Sequence, residues 1–62
     1  MYGVDDIILF TKDGTSEVIS AKIINVQDSM MWDDGFFTSY RVFYVYAGRD
    51  IRCWIKEMEI VG

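Results

Sequence analysis

The chain has no proline and no histidine, one cysteine, and no apolar run near the length of a membrane span. Each shortage removes a class of function. Without His the commonest general acid and base is missing, and a lone Cys or carboxylate has no ordinary group to activate it. One Cys and no His give too few ligands for a zinc site within a single chain. Cys53 cannot form an internal disulfide, and we expect no signal peptide ahead of the first strand, so the expected setting is a reducing cytoplasm. A span requires roughly 18 apolar residues, so a soluble protein is expected, with no membrane, no metal and no cofactor. Basic residues are also few: six against ten acidic ones leave a net charge of -4, which repels polyanions except where basic side chains gather locally.

What remains is apolar. The sequence is 52% hydrophobic, with four Tyr, four Phe and two Trp in 62 residues. A chain of this size forms one domain, expected over residues 1–62, and buries only about 60% of its unfolded surface. It therefore holds more apolar side chains than interior positions, and a partner or a second copy would absorb the surplus.

The apolar pattern follows period 2, which with the absence of proline predicts an all-β fold. Lys12-Asp13-Gly14 and Asp33-Asp34-Gly35 suit three-residue hairpin loops ending in a glycine with positive φ, and Gly48-Arg49 suits a two-residue type II′ turn. Extending these turns into ladders places Ile8 opposite Val18 and Phe10 opposite Ser16. The second turn pairs Trp32 with Phe36, Val26 with Val42 and Ile24 with Tyr44; the third pairs Tyr46 with Ile51, Tyr44 with Cys53 and Val42 with Ile55. One face then collects Ile24, Val26, Val42, Tyr44, Tyr46, Ile51, Cys53 and Ile55 as the expected core. The strand from about Ser16 to Trp32 changes apolar phase midway, which predicts a bulge or bend between Ala21 and Ile24. Lys56-Glu57-Met58-Glu59 reads as a tight helical turn before a closing strand at Ile60-Val61.

The expected architecture is a five-stranded, strongly bent antiparallel barrel with a short 3-10 turn before the last strand. It rests on Asp6-Ile7-Ile8-Leu9-Phe10, the Asp13-Gly14 turn, Ala21-Lys22-Ile23-Ile24, Tyr40-Arg41-Val42-Phe43-Tyr44, Gly48, and Trp54 to Ile60. In these pieces the chain resembles the SH3-like small barrels of the Tudor and KOW type. The resemblance implies an aromatic cage for a methylated Lys or Arg, held by cation–π attraction. Phe10, four residues before Gly14, and Tyr44, four before Gly48, match two cage positions, whereas Ile19 and Ala47 stand where further rings belong. Such a cage would be an incomplete remnant, and the favoured reading makes Phe10 and Tyr44 ordinary core and rim residues.

Two surfaces are candidates for protein binding. Tyr40–Tyr46 is apolar on both sides, and its outer side sets Phe43 opposite Trp54, Val45 opposite Arg52, and Ile23 opposite Val45, with Arg41 and Lys56 extending the face. Trp, Phe and Arg are enriched in interface hot spots. The same set could stack bases and hold phosphates, or form a structural cross-strand pair covered by Met1, Tyr2 and the terminal segment. The second surface is the hairpin tip Met30-Met31-Trp32-Asp33-Asp34-Gly35-Phe36-Phe37. There Met31, Trp32 and Phe36 could enter a partner's groove, or fold back as a lid. Asp5-Asp6 and Asp33-Asp34 read as solvated pairs rather than metal ligands, because neighbours on a strand face opposite ways. Glu57 and Glu59 read as guards of the closing edge, and Cys53 as an inert core thiol.

The expected function is a small non-enzymatic protein-binding module, acting on a larger protein or on a second copy. A bacterial or phage accessory or inhibitor protein of the cytoplasm fits that reading. The alternative is a nucleic-acid-binding module of KOW or Tudor type that uses Arg41, Arg52 and Lys56 with the two aromatics.

Overall fold

The computed structural model describes residues 2–11 and 15–62. Four strands, β1 (Ile7–Thr11), β2 (Val18–Trp32), β3 (Gly35–Tyr46) and β4 (Arg49–Lys56), form one antiparallel sheet in the order β1-β2-β3-β4. A 3-10 turn, Glu57–Glu59, follows β4. The all-β expectation holds, but the sheet has four strands and is not closed into a barrel. At the position expected for a fifth strand, Ile60 makes a single bridge to Phe10. Val61 N–H donates to the Leu9 carbonyl at 2.8 Å, and Leu9 N–H to the Gly62 carbonyl at 2.9 Å. Among the described residues no helix is long and apolar enough to cross a membrane.

Three expected registers are corrected. In the first hairpin Ile8 faces Ala21 and Phe10 faces Ile19, not Val18 and Ser16. The reason is parity: the expected ladder would put Ile8 and Phe10 on the same face as Ser20 and Lys22. A shift of three residues puts them with Ile19, Ala21 and Ile23. The Lys12-Asp13-Gly14 turn lies outside the described residues.

In the second hairpin Trp32 pairs with Gly35, leaving Asp33 and Asp34 as the turn, with Gly35 at φ +131. Register shifts fall between Ile23 and Asn25 and between Gln27 and Met30. The first lies at the end of the stretch where the apolar phase changes. Ile24 is the extra residue there, so Ile23 pairs with Val42 and is fully buried. Both the expected pairing of Ile24 with Tyr44 and the outward placement of Ile23 opposite Val45 are therefore overturned.

In the third hairpin Ala47 and Gly48 form the turn, with φ +52 and +75, in place of Gly48-Arg49. Positive φ at both central residues matches the twist of the flanking strands. The slip is two residues: Tyr44 pairs with Ile51, Val42 with Cys53 and Tyr40 with Ile55. An even slip keeps every side chain on its expected face. Tyr46 is left beyond the core, where its hydroxyl lies 3.3 Å from Glu17 Oε1.

The core consists of Ile8, Phe10, Ile19, Ala21, Ile23, Tyr40, Val42, Tyr44 and Ile55, with Tyr2, Val26, Ile51, Cys53 and Ile60 packed around it. Fully burying a side chain such as Ile23 or Val42 contributes about 1.5–3 kcal/mol, so a few of these residues decide the stability of so small a domain. Tyr2 and Tyr40 meet edge-on with ring centroids 5.9 Å apart, which ties the N-terminal segment to the core.

Candidate interaction surfaces

The central hairpin tip is divided between its two sides. Trp32 Nε1 donates to Ser39 Oγ at 2.8 Å, and Ser39 Oγ donates to the Phe37 carbonyl at 3.0 Å. Ser39 is fully buried, and its hydroxyl is satisfied both as acceptor from Trp32 and as donor to the Phe37 carbonyl. Lys56, at the end of β4, then completes a clamp. Its Nζ lies 2.9 and 3.0 Å from the two carboxylate oxygens of Asp34. It also sits 5.1 Å from the Trp32 ring centroid and 4.9 Å from that of Phe37. Asp34 consequently titrates below the ordinary carboxylate value, chiefly through the Lys56 hydrogen bond.

The other side of the tip is open. Met31 and Phe36 face each other across the two strands and are 72% and 68% exposed. Trp32 is thus part of the clamp, while Met31 and Phe36 remain available for contact. One side of the hairpin tip is thus held against Lys56 and Ser39, and the other is exposed.

On the outer face of β3 and β4 the two-residue slip changes partners. Phe43 faces Arg52 rather than Trp54, Arg41 faces Trp54, and Val45 faces Asp50 rather than Arg52. The Arg52 guanidinium carbon lies 4.9 Å from the Phe43 ring centroid, and Lys22 flanks Phe43 from β2. Phe43 and Trp54 are half-buried, Val45 is exposed, and Arg41 and Arg52 are exposed. The expected Phe43 and Trp54 pair is thus replaced by two Arg and aromatic pairs. Cover of this face by Met1 falls outside the described residues. Lys56 is drawn away from this basic set by Asp34, and Lys22 lies 3.4 Å from Asp5.

Phe10 and Tyr44, the residues matching cage positions, pack edge-to-face with centroids 5.5 Å apart, and both are buried. Burial, and secondarily Cys53, pushes the Tyr44 hydroxyl upward in pKa. Both rings nevertheless line a cavity of about 700 Å³ with Cys53, Trp54, Lys56 and Met58. Asp6, of a pair read as solvated, accepts the Gly3 N–H through Oδ2 at 2.8 Å, and Glu59, read as a guard of the closing edge, accepts the Lys56 N–H through Oε1 at 2.8 Å. Glu57 Oε2 accepts the Tyr40 hydroxyl at 2.7 Å. No family model, curated protein or solved structure matches the chain.

Sequence reasoning missed the clamp of Asp34, Lys56, Phe37 and Ser39. Its members come from two hairpins, and no local spacing signals their meeting. The one available hint was a Ser on a strand otherwise rich in large apolar residues.

Proposed function

We propose that this chain is a small non-enzymatic protein-binding module whose contact surface is the open side of the β2–β3 tip. One observation carries the reading: Met31 and Phe36 form an exposed apolar pair on a hairpin fixed from behind by Lys56. A rigid hairpin loses little conformational freedom on binding, which favours affinity from a small contact. The finer fold on this reading is a five-stranded SH3-like barrel of the Tudor and KOW type. It is supported by the hydrogen bonds of Val61 and Gly62 to Leu9 and by the Phe10–Ile60 bridge. The cytoplasm of a bacterium or a phage-infected cell, with a larger protein as target, is the setting we assign.

A second reading, nucleic acid binding, draws support from Arg52 over Phe43 and Arg41 beside Trp54. It is weakened by the loss of Lys56 to Asp34 and by the net charge. The deciding experiment places a photo-crosslinking residue at position 36 in the full chain, with position 18 as the control site. A discrete protein adduct from position 36, abolished by Met31→Ser, is the expected result. Salt-sensitive binding of single-stranded RNA that is lost in Arg41→Ala/Arg52→Ala, with no adduct at 36, would overturn the proposal.

A further inference from the structure

Ile8, Phe10, Ile19, Ala21, Val42 and Tyr44 are buried, so the residues alternating with them in β1, β2 and β3 lie on the outer side of the sheet. Four of those, Ile7, Leu9, Val18 and Val45, are large apolar side chains left exposed, Ile7 at 66% and Val45 at 61%. The solvated face of an antiparallel sheet normally reads polar. An apolar one of this extent marks a contact surface.

Three registers join into one row across this side: Ile7 beside Lys22, Lys22 beside Phe43, and Phe43 beside Arg52. In the next row Leu9 stands beside Ser20, and Val45 beside Asp50. Apolar side chains therefore run down β1 and β3, while the cations stand on β2 and β4. Neighbouring strands are about 4.8 Å apart, which puts the two apolar columns roughly 10 Å apart with Lys22 between them.

The charge on this side is opposite to that of the whole chain. Arg41, paired with Trp54, joins Lys22 and Arg52, and the carboxylates among them are Asp5 and Asp50. The side is thus net positive in a chain of net charge -4. Its cations are also available. Among the described residues neither Arg41 nor Arg52 is in an ion pair. Lys22 holds Asp5 at 3.4 Å with both groups exposed, a contact that another carboxylate replaces at little cost. The Phe43 ring lies 4.9 Å from the Arg52 guanidinium carbon and orients that fork of donors before anything binds.

We propose that the outer side of the sheet docks an acidic amphipathic segment of another protein. Its apolar side chains seat on Ile7, Leu9, Phe43 and Val45, and its carboxylates meet Lys22 and Arg52. Charge complementarity selects this occupant. A nucleic acid strand needs rings to stack on, whereas Phe43 and Trp54 are half-buried and the exposed side chains are aliphatic. A second copy laid face to face would bring two net positive sides together. This surface is separate from the hairpin tip, so the inference and the tip reading stand or fall independently.

The test is a nitrogen-15 correlation spectrum of the full chain titrated with a short amphipathic Leu/Glu helical peptide. A Leu/Lys peptide of the same pattern is the control. The Leu/Glu peptide should shift the amide signals of Ile7, Lys22, Phe43, Val45 and Arg52, and the Leu/Lys peptide should leave them in place. Lys22→Glu/Arg52→Glu should weaken the Leu/Glu peptide at least about tenfold and create binding of the Leu/Lys peptide. Arg52→Gln, a milder change if the double variant misfolds, should weaken the Leu/Glu peptide severalfold. Ile7→Ser/Val45→Ser should weaken it as well, and Met31→Ser, at the tip, should not. Failure of both peptides to shift these signals would overturn the proposal, as would equal binding of the two. Shifts of the same signals on concentrating the chain alone would give the surface to a second copy and overturn it. Tighter binding of oligouridine there would give it to nucleic acid with the same consequence.

Discussion

Lys56 Nζ bridges to both carboxylate oxygens of Asp34, joining the end of β4 to the turn of the β2–β3 hairpin. The contact spans 22 residues of sequence. It explains how a tip rich in large apolar residues stays ordered: Trp32 and Phe37 lie against the ammonium, and only Met31 and Phe36 are presented outward. The ion pair alone is exposed and screened by salt. Its effect comes from combination with the two rings and with the Trp32–Ser39 hydrogen bond.

The clamp should open in acid. Asp34 has a depressed pKa in the folded protein, so its contribution is present above the unfolded carboxylate value and is lost as pH falls through the folded one. In a Trp54→Phe background, which leaves Trp32 as the reporter, emission should shift to the red on acidification while far-ultraviolet dichroism holds. Asp34→Asn should show the shifted spectrum already at neutral pH. Identical acid titrations of the two proteins would rule the clamp out as the cause.

Ile23 and Ile24 test the placement of the bulge. Ile23 is fully buried against the core, whereas Ile24 is the extra residue at the register shift. Ile23→Ala should cost about 2–5 kcal/mol in urea unfolding, a large share of the stability of a domain this small. Ile24→Ala should cost under about 1 kcal/mol. Equal losses would place the change of phase elsewhere in β2.

Tyr40 couples the core to the 3-10 turn. Its ring is fully buried and its hydroxyl donates to Glu57. Burial, and then Glu57, raises its pKa. A raised folded value means that the stabilisation is complete below the unfolded tyrosine value and is lost as pH rises through the folded one. Tyr40→Phe should lower stability by about 1–2 kcal/mol at neutral pH, as expected for a hydrogen bond to a charged acceptor. It should also flatten the fall in stability above about pH 10, followed by thermal melts across the alkaline range.

The all-β class was legible because period 2 is a strong local signal, but of the expected core face only Val42, Tyr44 and Ile55 are buried, with Val26, Ile51 and Cys53 at its margin, and that face left out Ile8, Phe10, Ile19, Ala21, Ile23 and Tyr40. The faces of Val42, Tyr44, Ile51, Cys53 and Ile55 came out right although the third turn was misplaced, since a slip of two residues is invisible to side-chain parity. The partners came out wrong for the same reason: whether Phe43 meets Trp54 or Arg52 depends on register, not on face. In β1 the slip was odd, and there the apolar phase of Ile19, Ala21 and Ile23 was the better guide than the turn residues. The Asp34–Lys56 clamp depends on the bend of β2, which two register shifts set jointly, and no single window of sequence contains it.

The misplaced third turn leads to one more prediction. Gly48-Arg49 suits a type II′ turn in sequence, yet the chain turns at Ala47-Gly48, which puts Ala47 at φ +52. An L-residue with a Cβ pays roughly 1–2 kcal/mol for that region. The register is retained because it keeps Tyr44 opposite Ile51 and Tyr40 opposite Ile55. Ala47→Gly relieves the strain but loosens the unfolded chain, so the net gain should be about 0.5–1 kcal/mol. Ala47→Asn, which tolerates positive φ without that added freedom, should gain at least as much. Urea midpoints at constant m-value measure both variants. If neither midpoint rises, Ala47 is not held at positive φ, and the turn lies at Gly48-Arg49 with the β3–β4 pairs shifted by two.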